Sequence, residues 1–155
     1  MASAIVLADQ AVKALVGRLL PLGDSVPLIP GIVALTHVRN TGIAFGMAGG
    51  VPVAVPGAIA LTFLFLLFYN RPRWTRPPLA RAALALLAGG AVGNLIDRLR
   101  QGYVTDFLDF RIWPVFNLAD LAVTTGSALL ILALIPRREP EGAASRRGAR
   151  SNRSD

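Results

Sequence analysis

The sequence contains no cysteine, which excludes disulfides, thiolate metal ligation and a thiol nucleophile while leaving the compartment open. Histidine occurs once, at His37, and a single imidazole argues against a His-based metal site and against a Ser-His-Asp triad. Charge is scarce too. Only 16% of the 155 residues are Asp, Glu, Lys or Arg, against about 25% in a soluble domain. Hydrophobic residues make up 54%, and the mean hydropathy is +0.55. These balances describe a membrane protein of one domain.

What charge there is carries a net +7, unevenly placed. Arg71, Arg73, Arg76 and Arg81 surround one loop, and Arg137, Arg138, Arg146, Arg147, Arg150 and Arg153 fill the C-terminal tail. Long uncharged runs separate the two clusters, so the pattern argues against nucleic-acid binding and for the basic loops that orient a membrane protein.

Val51 to Tyr69 is a span of nineteen residues without a charge. That length crosses a hydrocarbon core of about 30 Å at about 1.5 Å per residue. Pro78 to Ile96 is apolar except for Arg81, whose long side chain can snorkel to the surface. Asn117 to Ile135 is apolar except for Asp120, which has no such reach. The first segment is short for a crossing and holds Asp9 and Lys13 four residues apart on one face. Either its helix runs on through Leu20 or the chain extends upstream of Met1.

The expectation is an all-α membrane protein with four transmembrane helices over about 1–20, 51–69, 78–96 and 117–135. The whole of 1–136 forms one unit, followed by a disordered basic tail at 137–155. The basic 70–81 loop and tail fall in the cytoplasm with both termini, and segments 17–50 and 97–116 face outward. In "VPLIPGIVALTHVRNTGIAFG" (26–46), β-branched residues are mixed with Gly and Pro. This predicts a small extracytoplasmic β-rich platform between helices 1 and 2, resting on the outer leaflet.

Polar side chains at membrane depth are costly and raise a functional question. Here they gather at the outer helix ends: Asp9 and Lys13, Asn40, then Asn94, Asp97 and Arg98 on one face, then Asn117 and Asp120. Asp106 lies between, in "GYVTDFLDF". Two carboxyls brought close share one proton, so one can activate a water while the other polarises a carbonyl; no metal or cofactor is required. Thirteen residues lie between Asp106 and Asp120, room enough to turn back from the third helix onto the fourth. Asp109 is a rival partner, read as an exposed loop acid, and His37 is read as an interfacial loop residue. Asp9 and Lys13 can satisfy each other, Asp97 and Arg98 can fix a loop, and Asn117 suits either helix capping or orientation of the acids. Buried acids also relay protons in carriers, so a proton-coupled small membrane transporter is the alternative. Carriers place such acids near the midplane and often show repeats; neither feature is present in this sequence.

Four blocks carry a resemblance. "LADQAVKALV" (7–16), "NTGIAFG" (40–46), "GGAVGNLIDRLRQGYVTDFLDF" (89–110) and "FNLADLAVTTG" (116–126) resemble, in order, the signature blocks of the lipoprotein signal peptidases, or signal peptidase II. They span about a third of the chain. The resemblance implies a bacterial inner-membrane aspartic endopeptidase that removes signal peptides from prolipoproteins whose lipobox cysteine bears a diacylglyceryl group. It further implies inhibition by globomycin-type peptides, contact with membrane lipids and action as a monomer. By the same resemblance the catalytic acids are Asp106 and Asp120, supported by Asp9, Lys13, Asn40, Gly42, Asn94, Asp97, Arg98 and Asn117. Two departures stand out: the apolar lead before Asp9 is shorter than is usual in the family, and Leu121 stands where a small residue is common.

Overall fold

A computed structural model describes residues 1–42 and 78–135. The expected span at 51–69 and the tail at 137–155 lie outside the described residues. Within them, three helices and a three-stranded sheet follow the order α1 (Ala2–Leu19), β1 (Ser25–Ile29), β2 (Val33–Asn40), α2 (Pro78–Gln101), β3 (Val104–Asp109) and α3 (Leu118–Leu134).

α2 has 24 residues, and it is the one helix among the described residues that is long and apolar enough to cross a membrane. It runs five residues past the span read from hydropathy, because Asp97, Arg98, Arg100 and Gln101 continue the helix beyond the apolar stretch. α1 and α3 fall close to their expected bounds. α2 is the centre of the bundle and packs against both neighbours through small residues, as helices do where no water drives them together. Gly89 lies against Ala2 and Ile5 of α1, and Gly90 against Ala119 and Val123 of α3. Gly93 has a more specific task. A Cβ there would sit 2.8 Å from Asp9 Oδ2 and 3.4 Å from the Ala119 Cβ, so the missing side chain makes room for a carboxylate between helices.

The sheet is antiparallel, ordered β1-β2-β3, with Val38 opposite Asp106 and Asn40 opposite Val104. The expected platform is therefore incomplete as first read. Its third strand comes from the segment between α2 and α3, and Asp106 stands on that strand rather than in a loop. Gly102 makes this return possible: it closes α2 by donating to Arg98 O at 3.1 Å, with φ of 79°, a backbone conformation that costs glycine little. Beyond β3 the chain doubles back, and Phe116 O accepts from the amides of Phe107 and Leu108 at 3.0 and 2.7 Å. The Phe110 and Phe116 rings stack with centroids 5.6 Å apart. His37 also departs from expectation. It lies buried on β2, with Nδ1 2.8 Å from Leu20 O, where it ties the end of α1 to the sheet.

Candidate active site

Where β3 meets the first turn of α3, Asn117 joins two carboxyl groups. Its Nδ2 donates to Asp106 Oδ1 at 2.6 Å. Its Oδ1 accepts from the Asp120 amide at 2.9 Å, and its own amide donates to Asp120 Oδ2 at 3.3 Å, a reciprocal capping box that starts α3. The two roles expected as alternatives for Asn117 are thus both filled. Asn40, at the end of β2, donates to Asp106 Oδ2 at 2.9 Å, and Gly42 N donates back to Asn40 Oδ1 at 2.9 Å. Asn94 on α2 donates to Asp120 Oδ1 at 2.7 Å. Three carboxamides from three elements therefore converge on two acids.

Behind them lies a buried ion cluster. Lys13 Nζ is 2.8 Å from Asp9 Oδ2, 2.9 Å from Asp97 Oδ2 and 3.0 Å from Asn94 Oδ1, which uses all three of its N–H bonds. Asp9 Oδ1 also accepts from the Ala119 amide at 2.9 Å, and Asp97 Oδ2 from the Thr105 amide at 3.2 Å. One aspartate thereby anchors the start of α3 and the other the start of β3. The expected Asp9–Lys13 pair is present, and Asp97 fixes the following segment. Arg98 reaches Asn94 O and Gly42 O, both at 3.4 Å.

Gln10 completes the cluster and was not singled out from the sequence. Its Nε2 lies 2.8 Å from Asp97 Oδ1, 3.2 Å from Gly93 O and 3.3 Å from Asp9 Oδ2. The signal was available: in a helix, Gln10 adjoins Asp9, and a carboxamide beside a buried acid has a donor to offer. Thr105 and Gln101 were also passed over; Gln101 Nε2 donates to Thr105 Oγ1 at 3.2 Å. A polar cavity of about 140 Å³ opens on this side, lined by Gln10, Lys13, Asp97, Gln101 and Thr105 among others.

The acids differ in environment. Asp106 is 1% exposed, and burial pushes its pKa up to about 6; the donors from Asn40 and Asn117 and the Lys13 charge oppose the rise, while the Asp120 charge adds to it. Asp109 goes the other way. It is buried on β3 rather than exposed in a loop, and the Arg111 amide at 2.8 Å holds its carboxyl below the usual range, helped by the Thr36 hydroxyl and the Arg111 guanidinium. An acid kept ionised in this way is a poor partner for sharing a proton. Asp120 opens instead onto an apolar cavity of about 360 Å³, lined by Phe110, Ile112, Trp113, Phe116, Leu121 and Thr124.

An apolar helical unit capped by a small sheet, with two amide-held acids, one of them lining an apolar cavity, has the construction of an enzyme site. Two solved structures described as bacterial membrane enzymes share the fold. One has a TM-score of 0.82 at 32% identity over 90% of each chain; the other has 0.78 at 34%, over 86% of this chain and 89% of its own. The family model for signal peptidase (SPase) II matches residues 1–136, and the chain belongs to that family of bacterial membrane proteases. Curated relatives named lipoprotein signal peptidase include those of Pelotomaculum thermopropionicum, 48% identical over 84% of this chain and 86% of its own, and Halothermothrix orenii, 46% identical over 84% and 89%.

Proposed function

We propose that this chain is an aspartic endopeptidase that removes signal peptides from diacylglyceryl-modified prolipoproteins at the lipobox cysteine, with Asp106 and Asp120 as its catalytic residues. The observation that carries the proposal is the contact of Asn117 with both carboxyl groups beside an apolar cavity. Family membership and relatives named for lipoprotein processing support the substrate class.

In this reading the pair shares one proton, which Asp106 holds while Asp120 is ionised. Water attacks the scissile carbonyl carbon. Asp120 takes the proton of that water as Asp106 gives its own to the carbonyl oxygen, forming a gem-diol. On collapse Asp106 recovers a proton from a gem-diol hydroxyl, Asp120 delivers its proton to the leaving nitrogen, and the C–N bond breaks. The apolar cavity beside Asp120 receives the apolar part of the substrate, which arrives laterally through lipid.

The arginine distribution supports four crossings with both termini in the cytoplasm and the acids on the outer side. The transporter alternative loses its support, because the acids sit where the helices meet the sheet. The test uses purified protein in bilayer nanodiscs. A diacylglyceryl-modified lipobox peptide should be cut before its cysteine and the same peptide without lipid left intact, with cleavage stopped by a globomycin-type inhibitor. Equal inertness toward both peptides under conditions where a control family member cuts would refute the proposal.

A further inference from the structure

We propose that Lys13 is a positioning residue that sets the orientation of the Asn94 carboxamide, and so obliges Asn94 to donate to Asp120. The inference rests on the reading of Asp106 and Asp120 as the catalytic pair and adds how one of them is held.

A carboxamide can turn by half a revolution at little cost to its shape, exchanging its acceptor oxygen for its two-donor nitrogen. The surroundings decide which way it faces. Asn94 Oδ1 accepts from two donors, Lys13 Nζ at 3.0 Å and Asn117 Nδ2 at 3.1 Å, while its Nδ2 faces Asp120 Oδ1 at 2.7 Å. In the opposite orientation the NH2 group would meet an ammonium and another NH2, neither of which can accept, and the oxygen would meet a carboxylate. Each of the three contacts would turn from attractive to repulsive.

Lys13 is itself fixed. Its side chain is 4% exposed, and its remaining N–H bonds point at Asp9 and Asp97, which are held in turn by the Ala119 and Thr105 amides and by Gln10. The charged groups around Asn94 are Asp9 and Lys13 on α1, Asp97 and Arg98 on α2, Asp106 on β3 and Asp120 on α3. Of the cations, Lys13 is the one whose nitrogen meets the Asn94 side chain; Arg98 meets its backbone oxygen. The Asn117 amide belongs to the same arrangement, since its Nδ2 serves both Asp106 and Asn94. A directed chain of donors therefore runs from Lys13 through Asn94 to Asp120. Asn117 ties it to Asp106, so one connected set of donors holds both carboxyls.

The test is a double-mutant cycle in the full-length protein, assayed on the lipid-modified peptide, with Asn94→Asp, Lys13→Met and the double variant. Asn94→Asp keeps an acceptor for Lys13 and Asn117 and removes the donor to Asp120. Its kcat should fall by about 100-fold or more, the scale of a displaced reacting group, with KM unchanged. Lys13→Met should lower kcat in the same manner, and the double variant should lose no more than the worse single one. Thermal unfolding checks that each variant is folded; should Lys13→Met fail to fold, Lys13→Arg, which keeps a cation between Asp9 and Asp97 but alters the donor to Asn94, takes its place in the cycle with the same expectation. Wild-type kcat in Asn94→Asp, a loss confined to KM, or multiplicative losses across the cycle would overturn the assignment. Asp106→Asn and Asp120→Asn, measured alongside, separate the two layers. If they are inactive while Asn94→Asp turns over normally, the orientation lock falls and the catalytic pair stands. If they turn over normally, the catalytic reading falls and the lock falls with it.

Discussion

The Asn117 side chain donates to Asp106 at 2.6 Å while its oxygen caps the helix that carries Asp120. One residue therefore sets the position of both acids, and its removal should cost stability and activity together. Asn117→Ala loses an N-cap, worth about 1 kcal/mol, and leaves Asp106 short of a donor in a buried place, about 1–3 kcal/mol more. Thermal unfolding in detergent should show the loss, and turnover of a lipid-modified peptide should fall with it.

Asp106, with a pKa near 6, gives the pH profile a definite sign. If it holds the shared proton, activity declines as the pH rises through that value, and it declines again in acid once Asp120 is protonated. The Asn40 donor lowers the pKa of Asp106. Asn40→Ala should therefore move the alkaline limb to higher pH, as read from kcat/KM against pH; a shift toward acid would contradict this electrostatic account.

Stability follows the same group with its own sign. A carboxyl whose pKa is raised by folding stabilises the protein fully below its unfolded pKa near 3.8, and the contribution disappears as the pH rises through about 6. The penalty at neutral pH is up to about 3 kcal/mol. Asp106→Asn should unfold at a temperature less sensitive to pH between 4 and 8 than the parent does.

Gly93→Ala would place a methyl group 2.8 Å from Asp9 Oδ2. Asp9 cannot easily retreat, because Lys13 and the Ala119 amide hold both of its oxygens. Overpacking of this kind costs about 1–3 kcal/mol. Differential scanning calorimetry should show destabilisation with reduced turnover, although the substituted position touches neither Asp106 nor Asp120.

Asp109→Asn is the control for the rival acid. Asp109 pairs with Thr36 on β2 and with Arg111 just past β3, whereas Asn40, Asn94 and Asn117 serve Asp106 and Asp120. The variant should fold, with a modest fall in thermal stability, and keep the parental order of magnitude in kcat.

Much of this site was legible because polar residues are rare in the chain. Asp9, Lys13, Asn94, Asp97, Asn117 and Asp120 stand out against apolar helices, and helical spacing groups them on faces. What stayed hidden depended on pairing across the chain. The strand at Val104–Asp109 leans on β2 residues more than sixty positions away, so a local reading took Asp106 and Asp109 for loop acids. Gln10 escaped because its partners, Asp97 and Gly93, lie on a different helix. The space that Gly93 leaves for Asp9 became meaningful only once α1 and α2 were seen in contact.

The most direct measurement compares the parent with Asp106→Asn and Asp120→Asn, each purified in the same bilayer and supplied with a diacylglyceryl-modified lipobox peptide. Each substitution preserves size and removes one carboxyl, and the account predicts that each lowers kcat by about a thousandfold or more while the protein remains folded. Parental turnover by either variant would contradict it.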